Sequence, residues 1–486
     1  MIILYLYGEP YLIHRFIHSS IVNSWLSNIV LLFSSLIAIP VVITKLNVEE
    51  INVWFLFSSI VSLGQGVLFG FNVTFTRFIA YSYSGVRINE FREIKDKTDS
   101  KYLETFDQIE LSRIYFLMKR IYAFLSFIFF IILMLIGIFV LNKPIESLTT
   151  QNNGWIAWSI VVISTTITLI FGYYRVFLLG INKVALVQRI VGLVNIIGLI
   201  FILGVLFQYP TLVSIVFVYQ LVALSTTVTI ILFARKELKS LGIQKQMIGL
   251  DKSLFTIVWK SAWKSGITSL LANIVKHISA IIISQLFAPA QSASFLFTKK
   301  LFDVIERFTM ISFQARIPVI ARLRGRGDFH SLIPYLRQTQ YISFGVFIIC
   351  YFMLLLFGET LLILIKGNVQ LGSVSLFILF SFATFLGRWG GMNLAIANQA
   401  NHVVEHLNAI LGSTVFFIVI YLFYDNLGIN VFPFAQIMGF FFVLFLFIKN
   451  VYPTLNTTFI SYEKKVMFPF LSILILINVS YYLMSN

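Results

Sequence analysis

The feature that most constrains this chain is a series of apolar stretches, each close to 20 residues long, that recurs from one end to the other. At 1.5 Å per residue, about 20 helical residues cover the ~30 Å hydrocarbon core of a bilayer. Inspection gives about 12 to 13 such stretches, near 24–44, 53–80, 118–141, 155–180, 184–207, 211–234, 262–288, 293–320, 338–358, 374–399, 406–424, 432–449 and 466–484. The last is either a thirteenth span or a shorter interfacial piece. Helices of this length satisfy their own backbone in lipid. With 58% hydrophobic and 12% charged residues over 486 positions, and a mean hydropathy of +0.90, the chain is expected to be all-α and polytopic. The N-terminus lacks a cleavable-signal layout, so the first apolar run reads as a retained span. The single Cys350 excludes an internal disulfide.

The net charge of +16 would suggest nucleic acid in a soluble protein. Here its distribution speaks against that partner. The stretches 45–50, 142–154, 208–210, 289–292, 359–373 and 425–431 hold only Lys45, Lys143 and Lys366. Apart from those near the cytoplasmic ends of spans, such as Arg175 and Arg189, seven basic residues fall within spans: Arg77, Lys276, Lys299, Lys300, Arg307, Arg316 and Arg388. The remaining 26 of the 36 Lys and Arg lie on the opposite side, densest in 81–120, 235–264 and 321–337. By the positive-inside rule that side, and the N-terminus with it, is cytoplasmic.

One span breaks the apolar pattern. Ala293 to Ile320 is long enough to cross a bilayer, yet it carries Lys299, Lys300, Asp303, Glu306 and Arg307. Charges at bilayer depth cost roughly 2.5–3.5 kcal/mol each on insertion scales, so they must face protein, water or one another. Lys299, Asp303 and Glu306 share one helical face, and both Lys299–Asp303 and Asp303–Arg307 have i, i+4 spacing. Two readings follow: a self-neutralised ladder that packs two helices, or the polar wall of a substrate cavity. Lys276 and His277 lie near the middle of 262–288, and Arg388 near the middle of 374–399, between Gly387 and Gly390–Gly391. On the cavity reading Lys276, Lys299, Lys300, Arg307 and Arg388 project into one space and bind an anion. Asp303, Glu306 and His277 then tune those cations or carry a coupling proton. Embedded cations outnumber the two embedded acids, which suits a diphosphate or acidic sugar.

Other features organise the chain around this core. Residues 84–120 interleave charges with Phe91, Tyr102, Leu103, Phe106 and Ile109, the pattern of a surface amphipathic helix. Gly66 and Gly70 mark a close-packing face. The pairs His14/His18 and His402/His406 have metal-compatible spacing without a third ligand in sight, so no metal or cofactor is expected. Arg322 to Asp328 matches no phosphate loop and reads as a solvated turn. An internal echo links Phe55-Leu56-Phe57-Ser58 to Phe295-Leu296-Phe297-Thr298, each followed by an arginine, Arg77 and Arg316, 22 and 21 residues on. This suggests two six-helix halves in parallel order. The expected organisation is a cytoplasmic N-terminal segment 1–20, an N-terminal lobe 21–234, a basic linker 235–260, a C-terminal lobe 261–452 and a tail 453–486 with an extra helix.

Three places carry a family resemblance. Ile51-Asn52-Val53-Trp54 through Arg77-Phe78-Ile79-Ala80, the exit Ile317-Pro318-Val319-Ile320-Ala321-Arg322-Leu323 with Gly327-Asp328, and the basic break at 235–264 together resemble the Wzx-type flippases of O-antigen and capsule. These belong to the multidrug/oligosaccharidyl-lipid/polysaccharide superfamily. The chain departs from the family's Asp-x-Gly-Leu with Leu68-Phe69-Gly70-Phe71. The resemblance implies two six-helix lobes around a central cavity and no enzymatic activity. It also implies movement of an undecaprenyl-diphosphate-linked oligosaccharide across the inner membrane for cell-surface polysaccharide biosynthesis. The lipid-linked oligosaccharide, membrane lipid, a glycan polymerase and chain-length machinery are the partners it suggests. Two rival classes stay open: a cation-coupled drug exporter of the same superfamily, and a membrane glycan polymerase or ligase. The first would want carboxylates in the first half, whose spans 118–141 to 211–234 have none. The second would want acid/base or metal groups in a sizeable loop, which the short outer segments lack.

Overall fold

The structure, a computed structural model, describes residues 20–83, 108–243, 252–314, 316–317, 319–320, 323, 328–365, 367–398 and 405–485. His14, His18, His402, residues 84–107, 244–251 and most of the 322–328 turn lie outside them. Among the described residues every regular element is helical. The first half contains α1 (Ser20–Lys45), α2 (Val48–Tyr83), α3 (Gln108–Val140), α4 (Asn142–Glu146), α5 (Gln151–Ile170), α6 (Gly172–Gly180), α7 (Val184–Gln208) and α8 (Leu212–Ser240). The second contains α9 (Lys252–Leu286), α10 (Pro289–Gln314), α11 (Phe329–Ile365), α12 (Val374–Asn398), α13 (Glu405–Leu427), α14 (Val431–Asn450), α15 (Phe459–Glu463) and α16 (Met467–Ser485).

Ten stretches are long and apolar enough to cross a membrane, and one of them, 407–449, holds both α13 and α14. Adding α2 and α10 gives thirteen long helices among the described residues, one for each expected span. The protein is thus an all-α polytopic membrane protein. Two boundaries moved. The span expected at 293–320 is a helix that starts at Pro289, a residue that suits a first helical turn, and stops at Gln314. The expected span 155–180 is broken at Phe171 into α5 and α6. The last apolar run is a full helix, α16.

Two compact units divide the described residues. The first draws on Met1–Ser34, Gly64–Asn142 and Asn152–Gly266. Its core gathers Tyr115, Tyr122, Tyr173, Tyr174 and Phe177, all buried. Tyr122 donates to Asn72 Oδ1. Gly70 has the expected close-packing role: a Cβ there would strike the backbone of Gly266 on α9.

The second unit draws on Ser35–Leu63, Lys143–Gln151 and Ile267–Asn486. It therefore includes 35–63 and 143–151, stretches that fall in the expected N-terminal lobe. Hydrogen bonds hold the first of them in place. Asn368 donates its backbone N–H to Ile43 O at 2.8 Å and its Nδ2 to Leu46 O at 2.8 Å, satisfying carbonyls at the C-terminal end of α1. Within this unit α10 packs on α11 and α12, α12 on α14, and α13 on α14. α13 and α14 approach closely at Gly412 and Gly439, where an added Cβ on Gly439 would meet Gly412 O at 2.8 Å. α16 packs on α11 and α12. A buried relay fixes it: Tyr351 Oη donates to Asn478 Oδ1 at 2.5 Å, and Asn478 Nδ2 donates to Ser381 Oγ at 3.0 Å.

The chain between α14 and α16 closes on a buried carboxylate. Glu463 Oε1 accepts from Trp389 Nε1 at 2.8 Å and Tyr452 Oη at 2.5 Å, and its Oε2 accepts from Met467 N at 3.1 Å. All four residues are buried.

Candidate functional site

The expected charge cluster forms inside the second unit, between α9 and α10. Lys276 Nζ lies 2.5 Å from Glu306 Oε2 and 3.6 Å from Asp303 Oδ1. Lys299 Nζ lies 2.9 Å from Asp303 Oδ2, across one turn of α10. Asp303 thus sits between two lysines, and Lys276 between two carboxylates. The pairing Asp303–Arg307 offered by i, i+4 spacing is absent: Asp303 turns instead to Lys299 and to a lysine on the neighbouring helix. Exposure is graded along the cluster, from 38% for the Lys276 side chain and 30% for Glu306 down to 19% for Asp303 and 9% for Lys299.

Lys276, Lys299, Asp303 and Glu306 line a cavity of about 340 Å³. That is within the size range of small-molecule sites, about 300–1,000 Å³. Its other walls come from α12, α13 and α14. Phe380, Phe416, Phe440 and Phe447 on these helices, with Phe302 on α10, give the lining an aromatic component beside its glycines and alanines, and Thr268 on α9, Thr384 and Gln436 are among its polar members. Phe302 and Phe380 are stacked, with ring centroids 5.6 Å apart. On α12, Gly387 and Gly391 present bare backbone to the cavity one turn apart, and a Cβ at either would meet nothing within 4 Å. Gly390 between them is different: a side chain there would strike Phe440.

The other expected site residues lie elsewhere. Arg388 is 1% exposed and does not line the cavity. Its Nη2 donates to Ser343 Oγ at 2.7 Å and Thr309 O at 3.2 Å, and its Nη1 donates to Met310 Sδ. Successive residues on a helix are separated by about 100°, so the position that puts Gly387 and Gly391 on the cavity turns Arg388 toward α10 and α11. Lys300 and Arg307 make no hydrogen bond or ion pair among the described residues and do not line the cavity; Arg307 is exposed. His277 is half-buried, with Nδ1 buried and unpartnered among the described residues. Of the five cations expected to share a cavity, Lys276 and Lys299 line this one. The cavity is lined by two lysines and two carboxylates, which balance.

No family model matches the chain, and no curated protein matches it in sequence. Solved structures do. An inward-facing multidrug resistance MATE family transporter of the MOP superfamily aligns with a TM-score of 0.62 at 13% identity, over 87% of this chain and 94% of its own. The Vibrio cholerae MATE transporter VcmN in the bent form aligns with a TM-score of 0.55 at 13% identity, over 93% and 100%. The lipid II flippase MurJ, in its inward closed conformation, aligns with a TM-score of 0.51 at 15% identity, over 95% and 96%. The chain has the fold these proteins share. That fold agrees with the one the sequence resemblance implied.

Sequence reasoning found the charged wall but not the rest of the cavity. Gly387 and Gly391 were visible as glycines flanking an arginine. Their i, i+4 spacing was the signal that one face of that helix carries no side chains.

Proposed function

We propose that the protein is a membrane transporter that flips an undecaprenyl-diphosphate-linked oligosaccharide from the cytoplasmic to the outer leaflet by alternating access, for cell-surface polysaccharide biosynthesis. The observation that carries the reading is the charged face of α10, membrane-long and opening on an aromatic cavity in the second unit. Embedded charges are expensive and are kept where they act. A polar-headed lipid needs both polar and apolar surface, and the cluster supplies them side by side. In this reading Lys300 and Arg307, seven residues apart on one face of α10 and without a carboxylate partner among the described residues, attract the diphosphate. Lys276 and Lys299 act through their exchange with Asp303 and Glu306, which with His277 carry or gate a coupling proton. The likeness to MurJ, named as a lipid II flippase, supports a lipid-linked substrate.

The test is flipping in proteoliposomes. Purified protein should move a fluorescent lipid-linked oligosaccharide to the far leaflet, and Lys300→Gln with Arg307→Gln should slow it at least about tenfold while the protein inserts normally. Unchanged flipping in that double variant refutes the role of the two cations. In the same reading the N-terminus and 235–260 are cytoplasmic in the inner membrane. Lys245→Cys in a Cys350→Ala background should resist an impermeant thiol reagent applied to intact cells.

A second reading rests on the likeness to MATE transporters and on the two carboxylates in the cavity wall. It makes the protein a cation-coupled exporter of small molecules. Efflux of a lipophilic cation driven by a proton or sodium gradient, with no flipping, would favour it.

A further inference from the structure

The cavity's own chemistry goes further than the transporter reading on which this inference rests. We propose that the second unit's cavity seats an uncharged, hydroxyl-rich ring, a sugar residue of the glycan, and not the diphosphate. Three observations combine.

The first is charge balance. Of the ionisable residues lining the cavity, Lys276 and Lys299 are cations and Asp303 and Glu306 are anions, and every one of them is already paired at 2.5 to 3.6 Å. A diphosphate would have to sit beside two carboxylates, with no free cation to hold it. A lipophilic cation would meet two ammonium groups with no free anion. A neutral ligand has neither conflict.

The second is hydrogen-bonding type. Lys276 and Glu306 are the most exposed members, and together they present N–H donors and carboxylate acceptors at one spot. A hydroxyl both donates and accepts, so vicinal hydroxyls can bridge the two groups without parting them. Phosphate oxygens only accept.

The third is shape. Gly387 and Gly391 leave a strip of bare backbone, and the phenylalanine rings line the walls. The C–H faces of a pyranose lie flat against aromatic rings and smooth backbone, which is the apolar half of what such a ring presents.

The experiment uses the full-length protein in nanodiscs. Gly391→Cys in the Cys350→Ala background places one thiol on the cavity floor, where a Cβ meets no atom. Its rate of modification by a small thiol reagent is measured alone, with the neutral disaccharide N,N′-diacetylchitobiose or cellobiose, with inorganic pyrophosphate, and with tetraphenylphosphonium. The expected result is that a saturating disaccharide slows labelling about fivefold or more, and that pyrophosphate and tetraphenylphosphonium leave the rate unchanged. Equilibrium dialysis with labelled disaccharide gives a second readout: Gly391→Phe or Gly387→Leu, which fill the cavity, should weaken binding at least about tenfold. Protection by pyrophosphate or by the lipophilic cation, without protection by either disaccharide, overturns the proposal. So does disaccharide binding that is indifferent to both filling variants. The flippase reading is scored separately by flipping in proteoliposomes. Disaccharide protection without flipping refutes that reading and leaves the seat standing. Flipping with disaccharide binding that ignores Gly387 and Gly391 does the reverse.

Discussion

Lys276 on α9 and Glu306 on α10, thirty residues apart in the chain, meet at 2.5 Å on the wall of the cavity. This contact joins two helices through a membrane-depth charge pair that remains open to the cavity, and its energetics should show it. Exposed pairs are worth about 0–1 kcal/mol, and breaking a buried one costs about 3–5. With side chains 38% and 30% exposed, Lys276→Gln should cost about 1–2 kcal/mol, because Glu306 loses its partner and Asp303 keeps only Lys299. Adding Glu306→Leu should recover most of that loss in thermal unfolding, while transport stays defective. A double variant no more stable than the single would show that the pair is not what joins the helices.

Arg388 should behave in the opposite way. Its three donations to Thr309, Ser343 and Met310 tie α12 to α10 and α11, away from the cavity. Arg388→Gln removes charge-assisted bonds inside the unit and should lower the amount of folded protein several-fold, with a stability loss of about 2–4 kcal/mol. Disaccharide affinity of the fraction that folds should stay within about twofold of the parent. Full membrane levels with abolished transport would return Arg388 to the substrate path.

Asn368 offers a sharper substitution. Its Nδ2 donates to Leu46 O, so Asn368→Asp sets a carboxylate oxygen against a carbonyl oxygen. The change is nearly isosteric and should lower the unfolding free energy by about 1–3 kcal/mol, and the unfolding midpoint with it, more than Asn368→Ala. Equal midpoints for the two variants would mean that the side-chain bond contributes nothing.

Glu463 should give the protein a pH signature. Burial holds its carboxyl above the ordinary value of 4.5, despite the donors from Tyr452, Trp389 and Met467. A carboxyl raised in the folded state binds its proton more tightly there than in the unfolded chain. Its contribution is complete below the unfolded pKa and is lost as pH rises through the folded one. Stability at pH 5 relative to pH 8 should therefore be greater in the parent than in Glu463→Gln, whose profile loses this slope. Parallel profiles for the two proteins would contradict it.

Much of this architecture was legible beforehand because bilayer thickness imposes one length on every span. The thirteen apolar stretches match thirteen long helices among the described residues for that reason. The charges of α10 were conspicuous for the same reason, since nothing else in a span of that length costs so much. Partner choice was not legible. Spacing allowed Asp303 to pair with Lys299 or with Arg307, and only the position of Lys276 on another helix shows where the carboxylate turns. The direction of Arg388 was not legible either, because depth in the membrane can be counted along a sequence, whereas direction around a helix needs the neighbours. Glu463, a lone acid after Tyr462, gave no periodic signal at all. It joins residues as far back as Trp389, and such long-range hydrogen bonds leave no mark on local pattern.

The strip formed by Gly387 and Gly391 makes the cavity's size a matter of what is missing. A single base change can turn many glycine codons into alanine, serine or valine, and here such a change takes volume from the cavity without striking the scaffold. Gly390, one position away, allows no such drift because Phe440 fills its space. The size of the cavity can therefore diverge at two positions while the helix packing beside them stays fixed, so that closely related chains can differ in what the cavity admits with the same backbone.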